Sequence, residues 1–399
     1  MPIRWHAPSW AALVLLVAAA PPDHAETALP PQIGKPLQAA QALIAQHKFQ
    51  AALVQIKKTE SAGRLDPEAI SVIEQLRGLA AQGEGDTATE AAAFEKAIDT
   101  GKLAPPDQQR LILAEASLAY ELKDYPKTIS WAQRYQAAGG RDEAVCTLLA
   151  QAYYQNADWA ATARTLNEQI AAGVTLAEPQ LRLLADASQK QNDPAAYQAA
   201  LERLVAAYPR PEYWSALIHH VRSRPDFPNR LTLDVFRLSQ AVGVPSTPAQ
   251  YTDSAEIALQ DGLPGEATAF LDQGFTAGVL GTGPQGPRQG RLRALAAQQA
   301  AEDLKTLDQR AAAHDGPGLV SAGLDYLGQG QPQKAVLLLQ QGIVKGGLPH
   351  PDEARLHLGI AYYDARQKDQ ALATFQAIRS GDEAELAKLW LLHFDTKSS

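Results

Sequence analysis

The sequence predicts an all-α protein built as a long array of short helix pairs, and three observations predict it. Hydrophobic residues make up 46% of the 399-residue chain while aromatics make up only 7%, a balance that suits many close-packed helices better than sheets. Apolar residues recur at helical spacing in patches separated by short turns. Near the C-terminus the patches themselves repeat: Gly323, Tyr326, Gly330, Ala335 and Leu339 return as Gly359, Tyr362, Arg366, Ala371 and Phe375, each 36 residues later. A chain of this length could hold two or three ordinary domains, and the repeat favours one array.

From the N-terminus, Arg4 precedes an unbroken apolar run from Trp10 to Ala20, which Pro21, Pro22 and Asp23 end. Eleven residues are too few to span a bilayer as a helix, so residues 1–25 read as a cleavable export signal and the chain as periplasmic. Asp23 stands at −3 to a cut after Ala25, where a small residue is preferred, so an uncleaved signal-anchor is the alternative. Residues 26–36, with Pro30, Pro31 and Pro36, read as a disordered lead. Helical repeats follow over 37–243, marked by Phe49 with Ala52, by Gly78, Gly85, Phe94 and Ala97, by Tyr120 with Tyr125, by Tyr153 with Trp159, and by Leu184, Ala185, Leu201 and Pro209. The last pair there is irregular: Pro225 and Pro228 forbid one helix across RSRPDFPN. Residues 248–281 form a further unit, in which Gly262, Ala267 and Leu271 match Gly330, Ala335 and Leu339.

Residues 281–290, GTGPQGPRQG, carry Gly281, Gly283 and Gly286 at the G-x-G-x-x-G spacing of a dinucleotide loop. That motif needs a strand before it and backbone amides facing the pyrophosphate. Here a helix precedes it, and Pro284 and Pro287 remove two amides, so 282–290 reads as a Gly/Pro linker that can bend. Arg288, Arg291 and Arg293 after it read as a solvated basic face, with an anion or acidic partner as the sharper alternative. The stretch 291–314 is one long helix or two.

In 291–399 the unit LGIAYYDARQKDQALATFQAI, residues 358–378, places Leu358, Gly359, Tyr362, Ala371 and Phe375 in an L-G-x2-Y…A-x3-F pattern. It resembles the tetratricopeptide repeat (TPR) family, whose period is about 34 residues. The likeness departs where Arg355 stands in place of Trp. Gly359 is small where two helices cross, and Phe375 fills the gap toward the next unit. DEAELAKLWLLHFD, residues 382–395, reads as a helix capping the last repeat, with Glu383 and Glu385 complementing its dipole. The resemblance spans nearly the whole mature chain but is specific only at its C-terminal end. It implies a right-handed α-solenoid of TPR-like helix-turn-helix repeats, about eight pairs.

Chemistry finds no foothold in the motifs. The chain has no H-E-x-x-H, C-x-x-C or G-x-S-x-G, and a net charge of −8 with no Lys/Arg block argues against nucleic acid. Cys146 is the only cysteine, and it reads as a small core residue. His219 and His220 are adjacent and so face about 100° apart on a helix, one inward and one outward. His357 reads as a surface residue. No catalytic, cofactor or metal residue is assigned. What the resemblance implies is a non-enzymatic periplasmic scaffold that binds a protein or peptide partner of the cell envelope through the concave face of the superhelix. A glycan or other envelope ligand in the groove is the alternative. That face is lined by first helices of pairs, whose expected exposed positions are Gln151, Gln155, Gln189, Gln191, Asp325 and Asp364.

Overall fold

The computed structural model describes residues 29–61, 65–312 and 315–398; the expected signal, 1–25, and the start of the expected lead lie outside them. The described residues form twenty α-helices, one 3-10 turn and no strand. They divide between two compact units at 192/193, inside the stretch 37–243 that the sequence reads as one run of repeats. Among the described helices none is long and apolar enough to cross a membrane.

The first unit contains α1 (Pro31–Ala45), α2 (Phe49–Glu60), α3 (Pro67–Glu84), α4 (Thr87–Asp99), α5 (Pro105–Glu121), α6 (Tyr125–Ala137), α7 (Glu143–Gln155), α8 (Trp159–Ala171) and α9 (Glu178–Lys190). Each helix packs on the next. One local device builds the turns. Gly85, Lys123 and Ala157 adopt left-handed φ values of 74, 62 and 59°, and the aspartate after each, Asp86, Asp124 or Asp158, caps the next helix. Each cap accepts a backbone N–H three residues on at 2.9–3.1 Å. The cap's own N–H closes the preceding helix by donating to the carbonyl of Ala81, Ala119 or Tyr153, all at 2.9 Å.

A second device sets the spacing within pairs. Gly78 of α3 lies under the ring of Phe94 in α4, where no Cβ would fit. Gly323 lies likewise under Leu339 and Gly359 under Phe375, each partner 16 residues downstream. The signature glycine therefore works as a seat for the large residue of the paired helix, and Phe375 also stacks on Trp390 at 5.6 Å.

The second unit runs from α10 (Pro194–Ala207) and α11 (Pro211–Arg222) through α12 (Thr232–Ala241), α13 (Pro248–Gln260) and α14 (Pro264–Thr276) to α15 (Gly286–Arg310). It continues with α16 (Gly316–Gly328), α17 (Pro332–Lys345), α18 (Pro351–Asp364), α19 (Lys368–Ala377) and α20 (Gly381–Ser398). The terminal helix packs on α18 and α19, and it also returns to α10 and α12 at the start of the unit. Ion pairs hold the return: Arg224 with Asp382, Arg230 with Glu383 at 2.7 Å, and Lys388 with Glu202 at 2.7 Å. Glu383 and Glu385 thus do more than complement a dipole, since both face arginines.

Two expectations need correction. Residues 31–36 of the expected disordered lead form the first turns of α1, because Pro31 sits where a helix has no use for an amide and Ile33 and Leu37 are buried. The expected linker 282–290 is shorter: α15 starts at Gly286 with Pro287 in its first turn. From there it runs to Arg310 as a single helix. The Gly281 amide, which a phosphate would have needed, donates to Gln289 Oε1 at 2.8 Å.

Candidate binding groove

The sequence LTLDVFRLSQ of α12 sets two charged residues one turn apart on an otherwise apolar strip. Both are turned inward. Arg237 donates through Nε and Nη2 to Glu266 of α14 at 2.7 and 2.6 Å, and through Nη1 to Asp234 at 2.6 Å. Asp234 also meets His357 Nε2 of α18 at 3.1 Å. Burial alone would raise the Asp234 carboxyl, but the attraction of His357 and Arg237 outweighs it and holds the carboxyl at about 2. Burial would likewise lower Arg237, and its two carboxylates keep it firmly charged. The quartet His357, Asp234, Arg237 and Glu266 fixes three helices in one register. Gly328 of α16 lies flat against the Glu266 backbone, where a Cβ would come within 2.7 Å of the Glu266 nitrogen.

Arg237 forms a wall shared by two hollows. On one side lies a pocket of about 350 Å³ with apolar walls that include Leu233, Leu263, Val320 and Leu324, and with Arg230 and His357 among its polar groups. On the other side lies a groove of about 800 Å³ between α12, α14, α16, α18 and α20. Phe270 and Trp390 contribute its aromatic surface, Gln240 and Gln273 its amides, and Glu266, Asp272 and Asp364 its carboxylates. A smaller hollow of about 450 Å³ adjoins it at Tyr363 and Asp364 and leads past Arg366 and Lys368. Asp364 is open to solvent, yet the protein crowding its other sides raises its carboxyl to about 6, Arg237 lowering it and Glu266 adding to the rise. Aromatic surface, amide rims and carboxylates together suit an amphipathic, cationic segment of another molecule.

Of the residues expected to line a concave face, only Asp364 reaches this groove. Asp325 does not belong to any exposed face: it is 3% exposed and pairs with Arg310 at 2.6 Å. It turns inward because α15 packs on α16, and burial with Asp303 nearby raises its carboxyl to about 6 against the pull of Arg310. Gln191 is engaged in structure, its amide donating to the carbonyls of Trp159 and Ala187 at 3.1 and 3.2 Å. Gln155 and Gln189 are exposed and Gln151 half-buried, all in the first unit.

Other expectations also shift. His357 is buried against Asp234 and is no surface residue. His219 is exposed and His220 half-buried against Tyr197 at a ring distance of 5.0 Å, so neither faces the core fully. Cys146 is half-buried, 3.6 Å from the Gln136 amide. Arg288 and Arg293 pair with Glu256 at 2.9 Å and Asp272 at 2.5 Å. Sequence reading missed Asp234, Arg237, Glu266, Phe270, Asp272 and Trp390; the signal for the first two was the charge pair inside LDVFRL.

The fold defines a TPR-like α-solenoid of consecutively packed helices, three of whose pairs close around glycine seats. No protein-family model matches the chain, and no curated protein matches it. Among solved structures it is similar to Naa15/Naa10 bound to HypK-THB, at 13% identity and a TM-score of 0.33 over 86% of this chain. The chain spans 57% of that protein's length. It is also similar to the TPR domain of P58(IPK), at 14% identity and TM-score 0.25 over 92% of this chain and 99% of that one. Yeast Tom70 gives 12% identity and TM-score 0.26 over 92% and 96%.

Proposed function

We propose that this protein is a non-enzymatic scaffold that holds a partner protein or peptide in the groove of its second unit. The observation that carries the reading is the groove itself: an amide-rimmed hollow of about 800 Å³, built by five helices and braced by a buried ionic quartet. A brace of this kind keeps a recognition surface in one shape before the partner arrives, which lowers the ordering cost of binding. The apolar run from Trp10 to Ala20 supports export to the periplasm and hence a cell-envelope partner.

In-cell cross-linking and affinity purification test both parts. Stoichiometric recovery of an envelope protein with the wild type, and its loss with Ala269→Trp, is the expected result, because Ala269 lines the groove and a ring there obstructs it. Equal recovery with the obstructed groove would overturn the reading, and recovery of a glycan in place of a protein would replace it. Mass spectrometry of the purified chain should find an N-terminus near Glu26. A chain retaining Arg4 in the membrane fraction would overturn export by a cleaved signal.

A further inference from the structure

The groove carries more carboxylate than it uses. Arg237 is fully committed to Asp234 and Glu266, and Asp272 of α14 pairs with Arg293. Asp364, at the end of α18, has no ion-pair partner among the described residues although it faces the same space. An uncompensated carboxylate crowded by protein is a standing electrostatic cost, which a cation entering from solvent relieves. Beside it, Trp390 lines the groove almost fully buried, at 1% exposure.

We propose that the groove of the second unit recognises a Lys or Arg side chain of an extended peptide segment, its cationic head on Asp364 and its main chain along the rim amides of Gln240 and Gln273. The inference rests on the scaffold reading and names its partner chemistry. A bare metal ion is a poor fit, because Glu266 and Asp272 already hold arginines and only one free carboxylate remains. Gln240 and Gln273 stand on the rim as amides able to pair with a peptide main chain, which a free amine lacks.

The groups that face Asp364 from the surrounding elements are Arg237 of α12, Glu266 and Asp272 of α14, Tyr363 beside it and Arg366 and Lys368 just beyond. With that carboxyl raised to about 6, binding of a cation weakens as pH falls through this value.

The test uses the immobilised full chain and pools of blocked peptides of about nine residues. Each pool carries one fixed residue, Arg, Lys, norleucine or Glu, among randomised uncharged positions. The Arg and Lys pools should be retained about tenfold above the other two. Asp364→Asn should remove that preference, Asp364→Glu should restore most of it, and both variants should keep wild-type helix content. Equal retention of all pools, or a basic preference that survives Asp364→Asn, would overturn the proposal. If the pools are retained equally and Ala269→Trp abolishes retention, the cation subsite fails while the groove stands as a peptide site. If no pool is retained, the proposal falls as well.

Discussion

Glu115 of α5 offers a decisive experiment because it is a carboxyl wholly hidden from solvent. It is 0% exposed, both carboxylate oxygens lack a hydrogen-bond partner among the described residues, and burial raises its carboxyl from 4.5 to about 8. Lys127 lowers it somewhat, but Lys127 is already bound to Glu95 at 2.7 Å. The folded chain therefore holds a proton at this site that the unfolded chain gives up between about pH 4.5 and about pH 8. The folded pKa lies above the unfolded one, so stability is greatest at the acid end of the window and is lost as pH rises through it. At ~1.4 kcal/mol per unit the full loss is bounded at about 5 kcal/mol. Glu115→Gln preserves the shape and removes the titration. Hydrogen exchange of α5 and α6 amides, corrected for intrinsic rates, should show wild-type opening energies falling by several kcal/mol between about pH 5 and about pH 8. In Glu115→Gln most of that fall should vanish, leaving the smaller slopes of Glu90, raised to about 7, and Glu74. The same slope in both proteins would refute the reasoning, for it would mean that the carboxyl is ionised and paired at neutral pH.

Arg237→Met should destabilise the second unit by about 3–5 kcal/mol, since it leaves Asp234 and Glu266 buried without their guanidinium, and hydrogen exchange of α12 and α14 reads the loss. Adding Glu266→Gln to that variant should return part of it, because one stranded charge goes. Gly359→Ala should cost about 1–3 kcal/mol, the new methyl entering the Phe375 ring, and should loosen α18 and α19 without touching the first unit.

The fold was legible because its determinants are local. A glycine seat and its large partner lie 16 residues apart within one helix pair, so Gly78 and Phe94, or Gly359 and Phe375, announce the pair from the sequence alone. The turns are equally local, since a left-handed residue and a capping aspartate are neighbours, as at Lys123 and Asp124. Boundaries were harder where two local rules compete. Pro31 and Pro287 each mark a break when read alone, and each proves to be the first turn of a helix, where a missing amide costs nothing.

The groove was largely illegible because nothing local specifies it. His357 and Asp234 are 123 residues apart, and Arg237 and Glu266 are 29, so no periodic pattern links them. The rule that assigned exposed positions to first helices failed at Asp325, because α15 packs on α16 and covers what a regular array would leave open. Asp364, one residue before the turn into α19, is exposed on one side and lines the groove. A repeat array fixes its core by repetition, whereas its recognition surface can draw in part on departures from repetition. Here the departures are the irregular α12 with its inward charges, the long α15, and an α20 that returns to the start of its unit. Of these, α12 lends the groove Arg237 and Gln240 and α20 lends Trp390, while α14 and α18 supply its carboxylates, Glu266, Asp272 and Asp364, so the groove needs both the repeat and its breaks.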